Sequence, residues 1–183
     1  MLQIVIPDAE YYDERKNLFV TRKGASLNME HSLLSVSKWE SIHHKPFLSD
    51  TVKTLPETLD YYRCMTITKN VDPAVYNNMT VNIQKQIQDY IDDSMTATWF
   101  NETMSNRGDR FNGEIVTSEI IYYWMVSLNI PFECQKWHLN RLITLIRTIS
   151  AKNAPKKKVP KRQMMLRNAE LNAQRRAKLN SKG

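Results

Sequence analysis

At 183 residues, 42% hydrophobic and 25% charged, with a net charge of +7, the chain has the length and balance of one soluble domain with its own core. No run approaches the ~18 apolar residues of a membrane span, and the opening MLQIVIPDAEYYDER lacks the basic start and apolar length of a signal peptide, so a cytoplasmic protein is expected. Cys64 and Cys134 form no CxxC pair, which argues against a disulfide framework or a cysteine-rich zinc site.

In chain order, LQIVIP is β-prone and NLFVTRKG (Asn17 to Gly24) offers a second strand after the polar DAEYYDERK, so an N-terminal hairpin is predicted. SLNMEHSLLSVSKWE then reads as helical, with Met29, Leu33, Val36 and Trp39 near a 3.6-residue period. TLPETLDYYRCM opens with Thr54 and Glu57 in capping-box spacing and Pro56 in the first turn, where a missing N–H costs nothing. VDPAVYNNM reads as a short helical turn started by Asp72 and Pro73. TVNIQKQIQDYIDDS places Ile83, Ile87, Tyr90 and Ile91 on one face behind Thr80 as cap. MTATWF and EIVT, either side of the polar NETMSNRGDRFNG, predict a second short hairpin. SEIIYYWMVSLN carries a broad stripe of Ile120, Ile121, Trp124, Met125 and Leu128, broken by Asn129 to Pro131. ECQKWHLNRLITLIRTIS follows as one amphipathic helix with Leu139, Leu142, Ile143, Ile146 and Ile149.

The composition changes after Ser150. Residues 151–183 hold eleven Lys and Arg against Glu170 alone, a net +10, which leaves −3 for residues 1–150. Such a split marks an arm for an acidic or polyanionic partner. Two prolines make 151–160 an extended basic linker, and 161–183 regains helix propensity with only a thin stripe of Leu166, Ala169, Ala173 and Ala177 to bury. The expected architecture is mainly α (α+β): a compact helical domain over 1–150 with a small N-terminal hairpin, the linker, and a basic helical arm. No cofactor or metal is expected.

Candidate chemistry is sparse. Cys134 and His138, four apart, fit either a thiol and base on one helical face or core packing, and packing is favoured by the apolar stripe just downstream. Zinc there would need further ligands such as His43, His44 or Cys64. Arg107-Gly108-Asp109 and the sequons at Asn78 and Asn101 are short enough to arise by chance. No nucleophile-elbow, zinc-helix or phosphate-loop motif is present, so a non-enzyme is expected. The basic residues Lys156, Lys157, Lys158, Lys161, Arg162, Arg167, Arg175 and Arg176 stand as candidate partner contacts, by phosphate contact or by docking on an acidic protein.

Several blocks occur together: HSLLSVSKWES, ETLDYYRCMTIT, NVDPAVYN, MTATWF, SEIIYYWMVSLNIPFECQKWHLNRLITLIR and RNAELNAQRRAKLNSKG. From about Ser32 onward their order resembles the tail assembly chaperones of long-tailed bacteriophages and prophages. The resemblance implies a non-enzymatic helper in the host cytoplasm that binds the tape-measure protein, assists tail-tube subunits in polymerising around it, and is absent from the finished virion. Its implied partners are the tape-measure protein, the tail-tube protein, a longer frameshifted form of itself and further copies of the chain, with no membrane. Nucleic acid contacted through the basic tail is the alternative. The family-like positions Trp39, Pro46, Trp124, Pro131, Trp137 and His138 are assigned to the fold first. Asn140 and Arg141 are held as candidate contacts, because a polar pair within a core helix must face water or find a partner.

Overall fold

A computed structural model describes residues 1–15, 17–98, 115–153 and 161–179, the side chains of 161–164 excepted. The chain divides into two units, Met1–Ser150 and Ala151–Gly183. The first mixes helices with antiparallel strands, which makes the protein mainly α with a small N-terminal hairpin element.

That element is larger than expected. Four strands form it: β1 (Leu2–Ile6), β2 (Ala9–Asp13), β3 (Leu18–Arg22) and β4 (Ala25–Met29). β1 pairs with β4 and β2 with β3, and partner numbers sum to 31 in both halves, from Leu2↔Met29 to Asp13↔Leu18. The strands are one ribbon in one register, interrupted where Pro7 and Asp8 oppose Lys23 and Gly24. Proline has no N–H for the ladder. The Gly24 N–H turns instead to Oδ1 of Asp8 at 2.6 Å. A Cβ on Gly24 would stand 2.0 Å from the carbonyl oxygen of Ile6, so only glycine fits this crossing.

Two expectations are thereby corrected. The polar stretch after LQIVIP is itself a strand, and the partner of LQIVI is ASLNM rather than NLFVT. Met29 is buried, but on a strand. Its alternation with Leu27 looks helical only when joined to Leu33 and Val36. The inner half of the ribbon presents Ile4, Ile6, Leu27 and Met29 to the core, and β1 packs against α3 (Val81–Asp92).

Helix α1 (Leu33–His43) begins at Ser32, whose side chain accepts from the N–H of Ser35 while the Ser35 hydroxyl accepts from that of Ser32. It ends with His44 in the left-handed region. α2 (Leu55–Met65) starts with the predicted box, Thr54 and Glu57 capping each other's backbone N–H. Glu57 also binds Lys45 at 2.6 Å, and these bonds, the lysine's first, hold its carboxyl down to about 2. The Asp72-capped turn Pro73–Asn78 is a 3-10 turn, and α3 is capped by Thr80, also as expected. α1 packs on α2 and on α4 (Ser118–Ser127), and the core gathers Trp39, Tyr61, Tyr62, Met65, Ile87, Ile121, Met125, Leu139 and Leu142. The indole N–H of Trp39 donates to the Glu57 carbonyl at 2.8 Å, so the largest core side chain buries no unpaired donor. The expected second hairpin lies mostly outside the described residues; 95–98 and 115–117 carry no strand.

The final core segment is also corrected. ECQKWHLNRLITLIRTIS is two elements, a 3-10 turn Phe132–Lys136 and α5 (Leu139–Asn153). Between them the backbone is extended: His138 forms a bridge with Ser32, and the Leu139 N–H donates to the His31 carbonyl at 2.7 Å. Pairing with residues more than a hundred positions away outweighs helical continuity. In the second unit, α6 (Lys161–Leu179) is exposed at every residue from Met165 to Leu179.

Candidate functional site

Because of that break, Cys134 and His138 do not share a helical face. His138 is buried with both ring nitrogens engaged by backbone. Nε2–H donates to the Tyr90 carbonyl at 2.9 Å, and Nδ1 accepts from the Asn140 N–H at 3.3 Å. The imidazole is thus a strut between α3 and α5. Among the described residues no group of His, Cys, Asp and Glu is placed to hold a metal ion.

Beside it lies His31, also buried, its ring 5.1 Å from that of His138 and its Nδ1 bonded to the Tyr61 hydroxyl. Burial, and then the neighbouring His138, hold His31 down to about 3. Burial likewise raises the Tyr61 phenol well above its usual value. Neither group titrates near neutrality. Tyr90 donates to Oε1 of Glu30 at 2.6 Å, closing the polar layer under the β4–α1 corner. His31, Glu30 and Tyr61 carry no local signal in the sequence, because their partners are remote along the chain.

The carboxylate of Glu40 is equally silent in the sequence, its partners lying on other elements. It is buried on α1 and accepts two backbone bonds of 2.8 Å, Oε1 from Phe47 and Oε2 from Ser118. Thr117, at the N-cap of α4, makes no side-chain cap bond. Glu40 supplies that cap from 78 positions away, and its charge faces the positive end of the helix. This acid therefore builds the fold.

The predicted contact residues separate. Asn140 is half-buried, and its Nδ2 donates to the carbonyls of Ile91 at 3.0 Å and Asp93 at 2.7 Å, closing the C-terminal end of α3. Its polar side chain finds its partners within the fold. Arg141 points outward, its guanidinium 4.4 Å from the centre of the Trp137 ring. Lys156, Lys157 and Lys158 lie outside the described residues, as do the side chains of Lys161 and Arg162. Arg167, Arg175 and Arg176 are exposed on α6, in the unit that does not contain Asn140 and Arg141.

The body's own exposed apolar side chains are a second finding. α4 buries Ile121 and Met125, while Tyr123 is 68% and Val126 59% exposed on its other side. Phe132 follows at 54%, stacked on Tyr122 with ring centres 6.4 Å apart. The signal was in the sequence: SEIIYYWMV is apolar around the whole helix, whereas one core-facing stripe needs less than half of it. On the outer ribbon Tyr12 and Phe19 face each other at 5.2 Å, and Phe19 is 74% exposed.

No protein-family model matches the chain, and neither does any curated protein or solved structure. Among the described residues no helix is long and apolar enough to cross a membrane.

Proposed function

We propose that the chain is a non-enzymatic tail assembly chaperone of a long-tailed phage, acting in the host cytoplasm on the tape-measure protein. One observation carries the reading. The longest family-like block, SEIIYYWMVSLNIPFECQKWHLNRLITLIR, supplies both core and surface: Ile121, Met125, Leu139 and Leu142 are buried, while Tyr123, Val126, Phe132 and the Trp137–Arg141 pair are turned outward. Tyr, Trp, Phe and Arg are the types enriched at protein interfaces, and exposed apolar groups of this size favour a protein partner that covers them. A helix-rich client offers apolar side chains at helical spacing for such a surface.

Coexpression with the tape-measure protein tests this. A soluble complex is expected with the native chain, and its loss with the double substitution Val126→Asp and Phe132→Asp, which touches only exposed positions. A client that stays insoluble beside the folded native chain, or a complex indifferent to the double substitution, refutes the reading.

A further inference from the structure

We propose that the outer edge of β3 is a self-association surface, on which a second copy of the chain adds its own β3, antiparallel, to make one four-stranded sheet. This role is independent of the tape-measure reading and needs no client.

The ribbon has one protected half and one open half. β3 and β4 lie along the same side of it. On that side β4 and the residue after it are covered. The Glu30 N–H donates to the Met65 carbonyl at 2.9 Å, the Ile67 N–H to that of Asn28 at 2.8 Å, and the Asn28 N–H to Oγ1 of Thr68 at 2.9 Å. Among the described residues β3 pairs with β2 alone. An uncovered strand edge is a template for pairing, and proteins blunt such edges with charge, proline or a bulge. β2 carries Glu10 and Asp13, with Pro7 and Asp8 just before it, whereas β3 from Leu18 to Thr21 has neither charge nor proline. A two-stranded ribbon is also marginal by itself, and further strands sharing an apolar face stabilise it.

The register identifies the occupant. Tyr12 opposes Phe19 and Glu10 opposes Thr21, all four exposed on one face of the ribbon. Val20 and Arg22 belong to the other face, where Arg22 Nη1 donates to Oδ1 of Asn78 at 3.5 Å, away from the edge. A two-fold axis at Val20 sets Val20 against Val20 of the second copy, Phe19 against Thr21 and Leu18 against Arg22. The Phe19 and Tyr12 rings of both copies then share one face, the two Phe19 on a diagonal within aromatic reach. Charge matches at the rim as well. Lys23 of each copy, exposed, falls in line with the exposed Glu14 on the turn of the other, on the same face as the rings. Self-pairing along β2 about Tyr11 would instead set Glu14 against Asp8, a like-charge pair, beside a proline that cannot donate. This two-fold match of rings and charges commits the β3 edge to a second copy.

Sedimentation velocity of the full chain, from low to high micromolar concentration, should show a monomer–dimer equilibrium. Phe19→Lys combined with Thr21→Lys, both at exposed positions, sets like charges directly opposite each other and should leave a monomer, its fold checked by urea unfolding. Lys23→Glu and Glu14→Lys should each weaken self-association several-fold, and the two variants mixed should associate with each other as the native chain does with itself. Mild oxidation reads the register, with the native chain and its free Cys64 and Cys134 as control. Val20→Cys should give a crosslinked dimer, its facing Cα atoms about 4.5–5.5 Å apart, whereas Leu18→Cys, about 14 Å from its copy, should not. Four results overturn the proposal: a native chain that stays monomeric, which would leave the edge to another protein; a dimer unchanged in the folded double variant; a mixture no tighter than either charge variant alone; or Leu18→Cys crosslinking as readily as Val20→Cys.

Discussion

Glu40 offers the sharpest test of how the body is held together. Its carboxylate is buried, accepts the Phe47 and Ser118 N–H groups at 2.8 Å each, and replaces the cap that Thr117 does not give α4. In Glu40→Ala both N–H groups lose their acceptor where water does not reach. At about 1–3 kcal/mol for each stranded donor, the loss is about 2–6 kcal/mol, with the removed packing adding to it. For a domain of this size that lowers Tm by roughly 5–20 °C. Glu40→Gln retains one acceptor oxygen but turns an NH2 toward the second N–H and removes the charge at the helix start, so an intermediate loss of about 2–3 kcal/mol is expected. Urea unfolding followed by tryptophan fluorescence reads both, since Trp39 adjoins the site in sequence and is buried. An Ala variant within about 0.5 kcal/mol of the native chain, or a Gln variant less stable than Ala, would refute the reasoning.

Acid should act through His31. Its folded value of about 3 lies below the usual 6.5, so the unfolded chain binds the extra proton between them. The stability from keeping this ring neutral is whole above about pH 6.5 and falls by about 1.4 kcal/mol per pH unit as pH drops toward 3. His31→Gln, folded at pH 7, should show a correspondingly shallower slope in urea melts between those limits; parallel curves would sink the assignment. Asn140→Ala should cost about 1–2 kcal/mol by removing the bonds to the carbonyls of half-buried Ile91 and exposed Asp93, whereas Arg141→Ala, which loses only an exposed stacking contact, should cost under about 0.5 kcal/mol; the reverse order in thermal melts contradicts a structural Asn140 and a surface Arg141. Gly24→Ala should destabilise the ribbon by more than the ~1 kcal/mol gain glycine replacement gives elsewhere, because its Cβ meets backbone at Ile6 and Pro7; unchanged amide-exchange protection in β1 and β4 would show that the crossing relaxes cheaply.

What could be read in advance were the features whose causes lie within a turn or two of chain. The Thr54–Glu57 box, the Asp72 and Thr80 caps and the Ile83/Ile87 face were legible because capping and helical periodicity are local effects. The charge division at Ser150 was legible because it is a property of composition. The ribbon was half legible. β2 is too polar to announce itself, since both its faces are largely open to solvent, and β4 borrowed the look of the helix that follows it.

The remainder needed partners brought from afar. Nothing within ECQKWHLNR says that the helix must stop at His138; the interruption comes from backbone pairing with His31 and Ser32. Glu40 and Asn140 look like surface polar residues until the termini of α4 and α3 are folded against them. Sequence by itself determined the caps, the helical faces and the separation of a basic arm from an acidic body. Tertiary structure decided which polar groups became internal struts and which aromatic rings were left outside, because an unpaired buried hydrogen-bonding group is costly and its partner is chosen by packing, which no local pattern records.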